Sequence, residues 1–243
     1  MIFKYKTYDV PYEYIHTSKP QTILFLHGWG GNLDSFASCK KFFAHQFNIL
    51  SISFPPYQNS ASIISLDMCD YRNITLGILN LLNLTNAIII CHSFGFRVAL
   101  MLTTTNIKID KIVVAGGAGI RLKPNLFKKL GSQHRSILLN KYPQLFTKFA
   151  SNDYMNLNAV DRQTFKNIVN KDLTNYIPQL KCPALLFWGG KDSATPIKFT
   201  KIIKRLNPRT QLEIIRNGDH FCYLKHNQLF IDCCNKFLKE GIV

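Results

Sequence analysis

A serine with the surroundings of a nucleophile lies near the middle of the chain. The pentapeptide at 91–95, Cys-His-Ser-Phe-Gly, follows a short apolar run at 87–90 and precedes an apolar segment of helical period. A serine in a tight turn between a strand and a helix needs small residues two positions before and after it, because the two backbones approach closely. Gly95 meets that need, and Cys91 replaces the usual glycine with another small side chain. The helix N-terminus then faces the oxyanion that forms on attack, so we predict that Ser93 is a nucleophile.

The partners that a serine nucleophile needs follow later in the chain. A serine hydroxyl reacts when a base takes its proton, and the base needs a carboxylate to orient it. Asp192 comes after an apolar run at 184–188, and His220 follows the last apolar run, at 211–215. Asp219 is an alternative acid, but a residue adjacent to the histidine rarely reaches its ring in the orienting geometry. The chain order of serine, acid and histidine therefore predicts Asp192 as the acid and His220 as the base.

Two other histidines lie close to the predicted site along the chain. His92 adjoins the nucleophile, but a residue next to it in a sharp turn points the wrong way to act as the base. His27 opens a glycine-rich loop after the apolar run at 22–26, and we expect it to shape that loop. The oxyanion needs two backbone N–H donors, one from the residue after the nucleophile and one from such a loop. These donors map to Phe94 and Trp29.

The predicted site requires a sheet whose strands end at one edge. Apolar runs of strand length alternate with segments of helical period, which is typical of a largely parallel sheet covered by helices. The predicted strands are two short ones within 2–15 around Pro11, then 22–26, 48–54, 87–90, 111–115, 184–188 and 211–215. The predicted helices are 33–47, 63–82, 94–104, 197–206 and 225–239.

One long stretch interrupts this alternation. Between Gly116 and about Leu180 no strand is predicted, and apolar clusters at 126–127, 137–139, 145–146 and 165–169 indicate several short helices. A helical insertion between two strands of one sheet is best interpreted as a cap over the active site. We therefore predict a core of residues 1–116 and 181–243 and a cap subdomain of residues 117–180.

The composition narrows the choice of compartment and partners. Lys and Arg total 30 against 14 Asp and Glu, which gives a formal net charge of +16. Such a charge could attract nucleic acid, anionic lipid or an acidic protein, but no nucleic-acid-binding motif accompanies it, and we expect no nucleic acid. The 7 cysteines contain no CxxC pair and indicate reduced thiols and a cytoplasmic location. The N-terminus lacks the apolar core of a secretory signal, and no apolar run reaches the roughly 20 residues of a membrane span.

Four motifs, in this order, resemble the α/β-hydrolase superfamily and its bacterial carboxylesterases. They are HGWG at 27–30, CHSFG at 91–95, FWGGKD at 187–192 and GDHF at 218–221. The resemblance implies the α/β-hydrolase fold, a mostly parallel central sheet flanked by helices, with a helical cap inserted before the late strands. It also implies hydrolysis of small-molecule carboxylic esters through an acyl-enzyme, without a metal ion or organic cofactor. The sequence departs from the family pattern at Cys91 and at 54–60, where relatives often carry Asp-x-Pro-Gly-x-Gly-x-Ser.

Three alternatives to a simple carboxylesterase stay open. The HGWG loop is similar to that of esterases that demethylate pimeloyl esters in biotin synthesis, and an acidic acyl carrier protein would suit a basic cap. No acidic residue lies between Asp110 and Asp153, where the basic residues are Lys111, Arg121, Lys123, Lys128, Lys129, Arg135, Lys141 and Lys148. Carbon–carbon bond hydrolases share the triad but often carry a tryptophan shortly after the histidine, where this chain has Phe221. A non-catalytic ligand receptor on this scaffold would commonly have lost a triad member or the cap, and the sequence retains both.

Overall fold

The structure, a computed structural model, describes residues 1–56, 63–121 and 157–239. Its strands are β1 (Ile2–Tyr5), β2 (Tyr8–Ile15), β3 (Thr22–Leu26), β4 (Asn48–Ile52), β5 (Asn86–His92), β6 (Lys108–Ala115), β7 (Ala184–Gly189) and β8 (Thr210–Ile215). The α-helices of the described residues are α1 (Ala37–Phe43), α2 (Met68–Leu81), α3 (Phe94–Leu102), α4 (Ala159–Asn170), α5 (Lys198–Leu206), α6 (Cys222–Lys225) and α7 (Asn227–Lys239). Two 3₁₀ segments, Leu33–Phe36 and Thr174–Gln179, complete the described elements.

These strands form a single sheet in the order β1-β2-β4-β3-β5-β6-β7-β8. From β4 to β8 across the sheet the strands run parallel, while β1 and β2 add an antiparallel edge. Every residue of β3 is buried, because α2, α3 and α5 pack on one face of the sheet while α1 and α7 pack on the other. A strand covered on both faces is a continuous apolar run, which is the pattern that the sequence carries. The predicted mostly parallel sheet with flanking helices is confirmed.

The strand order reverses direction at β3, which has β4 on one side and β5 on the other. In open sheets of this kind, ligands bind in the crevice outside the carboxyl ends of the strands, beside such a reversal. The carboxyl ends of β3 and β5 lead into His27 and Ser93, and those of β7 and β8 lead towards Asp192 and His220. The topology therefore brings the chemically important segments to one edge of the sheet.

A close backbone contact holds the turn from β5 into α3. Ser93 has φ 47° and ψ −108°, a conformation that is costly for a residue other than glycine. A Cβ atom on Gly95 would overlap the carbonyl oxygen of Leu26 on β3, so a glycine is needed for α3 to begin this close to the sheet. At the other small position, the buried Cys91 thiol donates to the Val113 carbonyl oxygen at 3.4 Å. The cysteine therefore fits where the motif usually has glycine.

Two arginines bind the C-terminal end of α4, which lies in the predicted cap: Arg97 of the core and Arg121 of the predicted cap itself. Arg97 on α3 donates to the carbonyl oxygens of Ile168 and Lys171, at 2.9 and 2.8 Å. Arg121 donates to the Asn170 carbonyl oxygen at 3.1 Å. The last carbonyls of a helix have no partner within the helix, and cations are favourable at that end. The C-terminal end of α4 is thus fixed to the helix that follows Ser93.

Element boundaries differ from the predicted ones in three places. The first break lies at Lys6, where φ is 52°, and not at Pro11, which lies inside β2 and is paired with Ile2. The helix predicted at 63–82 begins only at Met68, because the Asp67 side chain caps it by accepting two backbone N–H groups. The segment predicted as one helix at 33–47 consists of the 3₁₀ segment Leu33–Phe36 and α1, whereas the last helix, predicted at 225–239, is observed as α7 from Asn227.

The predicted cap boundaries at 117–180 stay a prediction. The short helices expected at 126–127, 137–139 and 145–146 lie outside the described residues, as do positions 57–60 of the departing loop. None of the described helices has the length and apolarity that crossing a bilayer requires.

Substituting Gly95 tests the contact between α3 and β3. We expect Gly95→Ala to lower the free energy of unfolding by about 3 kcal/mol, because the added methyl group meets backbone that cannot rotate away. Ala99→Gly, one turn later in the same buried helix, removes a methyl group instead of adding one. It should lower the free energy of unfolding by about 1–2 kcal/mol. Urea denaturation measures both. A smaller loss for Gly95→Ala than for Ala99→Gly would show that the contact does not restrict this position.

Candidate active site

The predicted nucleophile lies at the junction of β5, α3 and β6. The Ser93 N–H donates to the Ala115 carbonyl oxygen at the end of β6, at 3.0 Å. The Ser93 carbonyl oxygen accepts the N–H groups of Phe96 at 3.1 Å and Ala118 at 3.0 Å. The backbone of the strained turn is therefore held on both sides of the serine. Its partly exposed side chain stands at the carboxyl edge of the sheet.

The predicted acid and base are in direct contact. His220 Nδ1 lies 2.8 Å from Asp192 Oδ2, with the aspartate side chain wholly buried and the histidine side chain 16% exposed. The other carboxylate oxygen accepts the N–H groups of Ala194 at 2.9 Å and Thr195 at 2.8 Å. Burial by itself would raise the pKa of the Asp192 carboxyl, but the hydrogen bonds from His220 and Thr195 hold that pKa below its ordinary value. The carboxylate is thus ionised and fixes Nδ1 of the imidazole as the donor, which leaves Nε2 available for a reacting group.

Gly116 at the end of β6 borders this pair. It has φ +51°, and a Cβ atom there would lie 3.1 Å from Asp192 Oδ2 and 3.2 Å from His220 Nδ1. A side chain at this position would be strained by the backbone conformation and would crowd both groups. Glycine therefore leaves room for the pair against the carboxyl edge of the sheet.

His92 connects the turn at the serine to the loop that carries His220. Its Nε2 lies 3.0 Å from the His220 carbonyl oxygen, and its ring centroid lies 4.7 Å from that of His220 and 4.6 Å from that of Tyr223. Burial and the neighbouring His220 lower the pKa of His92 to about 3, so the ring is neutral. Because a carbonyl oxygen only accepts, Nε2 carries the hydrogen. Sequence reasoning excluded His92 as the base but missed this contact, since no local pattern pairs residues 92 and 220.

His27 shapes its loop, as its position predicts. Its Nδ1 lies 2.6 Å from the Gly28 carbonyl oxygen, and its Nε2 accepts the Phe54 N–H at 2.9 Å. Burial lowers the pKa of His27 to about 4, so this ring is neutral as well. The histidine thereby ties the end of β3 to the segment that follows β4.

The loop after β3 passes beside the serine. A Cβ atom on Gly28 would lie 2.5 Å from His92 Nδ1 and 3.5 Å from the Ser93 Cβ. The next residue, Trp29, is one of the two predicted oxyanion donors, and its ring meets that of the other, Phe94, edge-on at 5.9 Å. The structure thus brings both predicted donor residues to the serine turn.

Aromatic rings surround the two predicted donor residues. The buried Phe94 ring also meets Tyr71 at 4.9 Å and Phe54 at 5.9 Å. The half-buried Trp29 ring meets Phe165 of α4 at 5.4 Å. An apolar wall therefore runs from the core of the sheet to α4 beside the candidate site.

The described residues contain no group of three or more His, Cys, Asp or Glu side chains arranged to hold a metal ion.

Comparison with known proteins identifies the family. A model for the alpha/beta hydrolase fold matches residues 21–164. The chain belongs to this family. It is a hydrolase whose relatives include esterases.

Solved structures resemble this hydrolase along nearly its whole length. An esterase from Exiguobacterium antarcticum superposes with a TM-score of 0.74 at 18% identity and covers 96% of each chain. The enol-lactonase from Burkholderia xenovorans LB400 superposes with a TM-score of 0.75 at 15% identity, over 99% of this chain and 100% of that one. At these identities the likeness is one of fold.

A curated relative matches part of the hydrolase at higher identity. The pimeloyl-[acyl-carrier protein] methyl ester esterase of Wigglesworthia glossinidia brevipalpis is 28% identical over 114 residues. The match spans 46% of this chain and 42% of that protein, so less than half of each is aligned.

The alternative acid, Asp219, points away from the imidazole. Its side chain is 45% exposed, pairs with Lys225 and accepts the Phe221 N–H at 3.0 Å. The hydrogen bond from Lys225 lowers the pKa of Asp219. Asp219 is therefore a surface carboxylate that belongs to its own turn. Of the two aspartates that the sequence offers, Asp192 is the one in contact with the His220 ring.

Matched aspartate substitutions test this difference. We expect Asp192→Asn to lower kcat on an aryl ester by about 10³–10⁴-fold, because the amide oxygen stays with the N–H groups of Ala194 and Thr195 and the NH2 group then faces Nδ1, which favours the wrong tautomer of the imidazole. Asp219→Asn should leave kcat within about twofold, since that carboxylate bonds only its own turn and Lys225. Steady-state kinetics measure both variants. A large loss for Asp219→Asn with a small one for Asp192→Asn would reverse the assignment.

Proposed function

We propose that this hydrolase cleaves carboxylic esters through an acyl-enzyme, with Ser93 as nucleophile, His220 as base and Asp192 as the acid that orients the base. One observation carries the proposal. The buried Asp192 carboxylate binds His220 Nδ1 at 2.8 Å, at the sheet edge where Ser93 stands in its strained turn. A nucleophile beside a base that a third group orients is the arrangement that acyl transfer requires.

The reaction takes place in two halves. His220 Nε2 accepts the proton of the Ser93 hydroxyl as its oxygen attacks the ester carbonyl, and the resulting oxyanion accepts the N–H groups of Trp29 and Phe94. The tetrahedral intermediate collapses, and His220 returns the proton to the leaving alcohol. A water molecule then attacks the acyl-enzyme, gives its proton to His220 and releases the carboxylic acid, after which Ser93 recovers its proton.

The surroundings support this division of roles. Asp192 is ionised, so it stabilises the imidazolium that forms on His220 in both halves of the reaction. His27 and His92 are neutral and leave His220 as the ring that takes up the charge. The half-buried rings of Trp29 and Phe165 give the site an apolar wall, which suits a small or medium acyl group better than a charged one.

Replacing the serine tests the proposed function. We expect Ser93→Ala to reduce turnover of aryl esters by about 10⁴-fold or more and to abolish labelling by a fluorophosphonate probe. Ser193→Ala, an exposed serine in the loop after β7, is the matched control and should retain both. Esters of graded acyl length, with Ser93→Ala as the blank, then define the acyl group. Ester turnover that survives in Ser93→Ala would exclude the proposed mechanism, and a broad panel without any turnover would favour the receptor alternative.

A carrier-linked ester is a second candidate substrate. The relative that is 28% identical over 114 residues is named as an esterase of a pimeloyl group on acyl-carrier protein. The stretch between Asp110 and Asp153 is basic throughout, although Lys123, Lys128, Lys129, Arg135, Lys141 and Lys148 lie outside the described residues. A basic surface beside the site would attract an acidic carrier protein.

The sequence disfavours the alternative of a carbon–carbon bond hydrolase. The tryptophan that such enzymes often carry after the histidine is absent here.

Salt separates the carrier-linked ester from a free one. If the carrier docks by charge, kcat/KM for a methyl ester on an acidic carrier protein should fall about tenfold or more between about 0.02 M and about 0.5 M salt. The same acyl methyl ester without the carrier should change little, because it has no distant charges to steer. Equal rates on both substrates, without a salt effect, would eliminate the carrier protein as a partner.

A further inference from the structure

Thr195 lies three residues after Asp192 in a segment that is fixed on both sides. Its N–H donates to Asp192 Oδ1 at 2.8 Å, and its carbonyl oxygen accepts the indole N–H of Trp188 at 2.8 Å. Trp188 is wholly buried, and Thr195 is 4% exposed. The position of the threonine hydroxyl is therefore set by the core of the sheet and not by solvent.

The Thr195 hydroxyl meets both members of the acid–base pair. Its oxygen lies 2.7 Å from Asp192 Oδ2, the same atom that His220 Nδ1 approaches at 2.8 Å. It also lies 3.3 Å from His220 Nδ1 itself and 3.0 Å from the Gly116 carbonyl oxygen. The hydroxyl thus occupies the corner between the carboxylate, the imidazole and the end of β6.

A hydroxyl has one hydrogen, which determines what this contact does. An ionised carboxylate only accepts, and two oxygens 2.7 Å apart repel each other unless a hydrogen lies between them. The carboxylate is both the nearer and the charged acceptor, at 2.7 Å against 3.0 Å for the Gly116 carbonyl oxygen, so the Thr195 hydrogen points to Asp192 Oδ2. That oxygen then receives two donors, Thr195 and His220, while Oδ1 receives the backbone N–H groups of Ala194 and Thr195. With all four bonds in place the carboxylate cannot turn about its Cβ–Cγ bond without breaking several of them.

We propose that Thr195 is a positioning residue of the Asp192–His220 pair. Its hydroxyl fixes the rotation of the carboxylate, and the carboxylate fixes the imidazole through its Nδ1. The inference rests on the proposed function, because it assigns a role within the same triad. Thr195 touches neither substrate nor reacting atoms and acts through Asp192.

Two pairs of variants isolate the hydroxyl. Thr195→Val replaces it with a methyl group of similar size, and Thr195→Ala against Thr195→Ser changes only the hydroxyl in a smaller side chain. We expect Thr195→Val and Thr195→Ala to lower kcat on an aryl ester by about ten- to hundredfold, as loss of a hydrogen bond to a charged group predicts. KM should stay within about twofold, because the pair acts on the transition state and not on bound substrate. Thr195→Ser should recover kcat to within about threefold of the unmodified protein.

Thr200→Val is the matched control. Thr200 is another buried threonine after β7, but its hydroxyl donates only to the Ile197 carbonyl oxygen, at 2.7 Å. We expect this variant to lose thermal stability without a change in kcat. If Thr195 had only a structural role, Thr195→Val would give the same result. If Thr195→Val does not fold, Thr195→Ala and Thr195→Ser still give the comparison.

The outcomes separate this inference from the proposed function. Unchanged kcat in Thr195→Val and Thr195→Ala, in a protein whose turnover depends on Ser93, would overturn the positioning role and leave the triad intact. A fall in kcat that Thr195→Ser does not recover would also overturn it, because the methyl group and not the hydroxyl would then be responsible. Turnover that persists in Ser93→Ala would remove the proposed function first and the role of Thr195 with it.

Discussion

The close approach of α3 to β3 is the constraint on which the candidate site depends. Because Gly95 packs directly on the Leu26 carbonyl oxygen, the chain has to turn between β5 and α3 in a single residue, and Ser93 takes up the strain with φ 47°. The same approach sets the loop after β3 next to the serine, where Gly28 faces His92 and the Ser93 Cβ. The backbone contact at Gly95 therefore positions the serine, and the donor loop packs against the His92 ring beside it.

Charge in the site is arranged around one buried carboxylate. Two of the three histidines at the sheet edge, His27 and His92, are buried and neutral. His27 uses both ring nitrogens on backbone groups, and His92 uses Nε2. Asp192 remains ionised because its four hydrogen bonds compensate for its burial. A single negative charge thus faces the one imidazole that is partly exposed, His220. Protonation of that ring in a reaction completes an ion pair, whereas protonation of either other ring would place an uncompensated charge in the core.

The sequence predicted what strand ends and motif spacing determine, as the positions of Ser93, Asp192, His220 and the Trp29 loop illustrate. The Trp29 loop, Ser93 and Asp192 follow apolar runs in β3, β5 and β7 that are buried almost throughout, whereas His220 follows the less buried β8 at the edge of the sheet. Such runs are recognisable without any tertiary contact. His92 and Thr195 show what spacing could not give. The His92 contact joins positions 92 and 220, and the Thr195 hydroxyl was indistinguishable from that of any other threonine near a strand end. The late start of α2 has a similar cause, since only the Asp67 cap distinguishes the extended segment before it from helix.

Helix α4, which lies in the predicted cap, connects to both predicted oxyanion donors by different routes. Phe165 meets the Trp29 ring directly, and Arg97 joins the end of α4 to α3, the helix that begins with Phe94. A shift of α4 would therefore move the backbone of both donors, whose alignment matters most in the transition state. Under the proposed function, an acyl group that displaces α4 should then reduce turnover as well as binding, because Phe165 and the two predicted donor residues belong to one packed unit. Selectivity in this hydrolase is, on that argument, expressed in kcat as much as in KM.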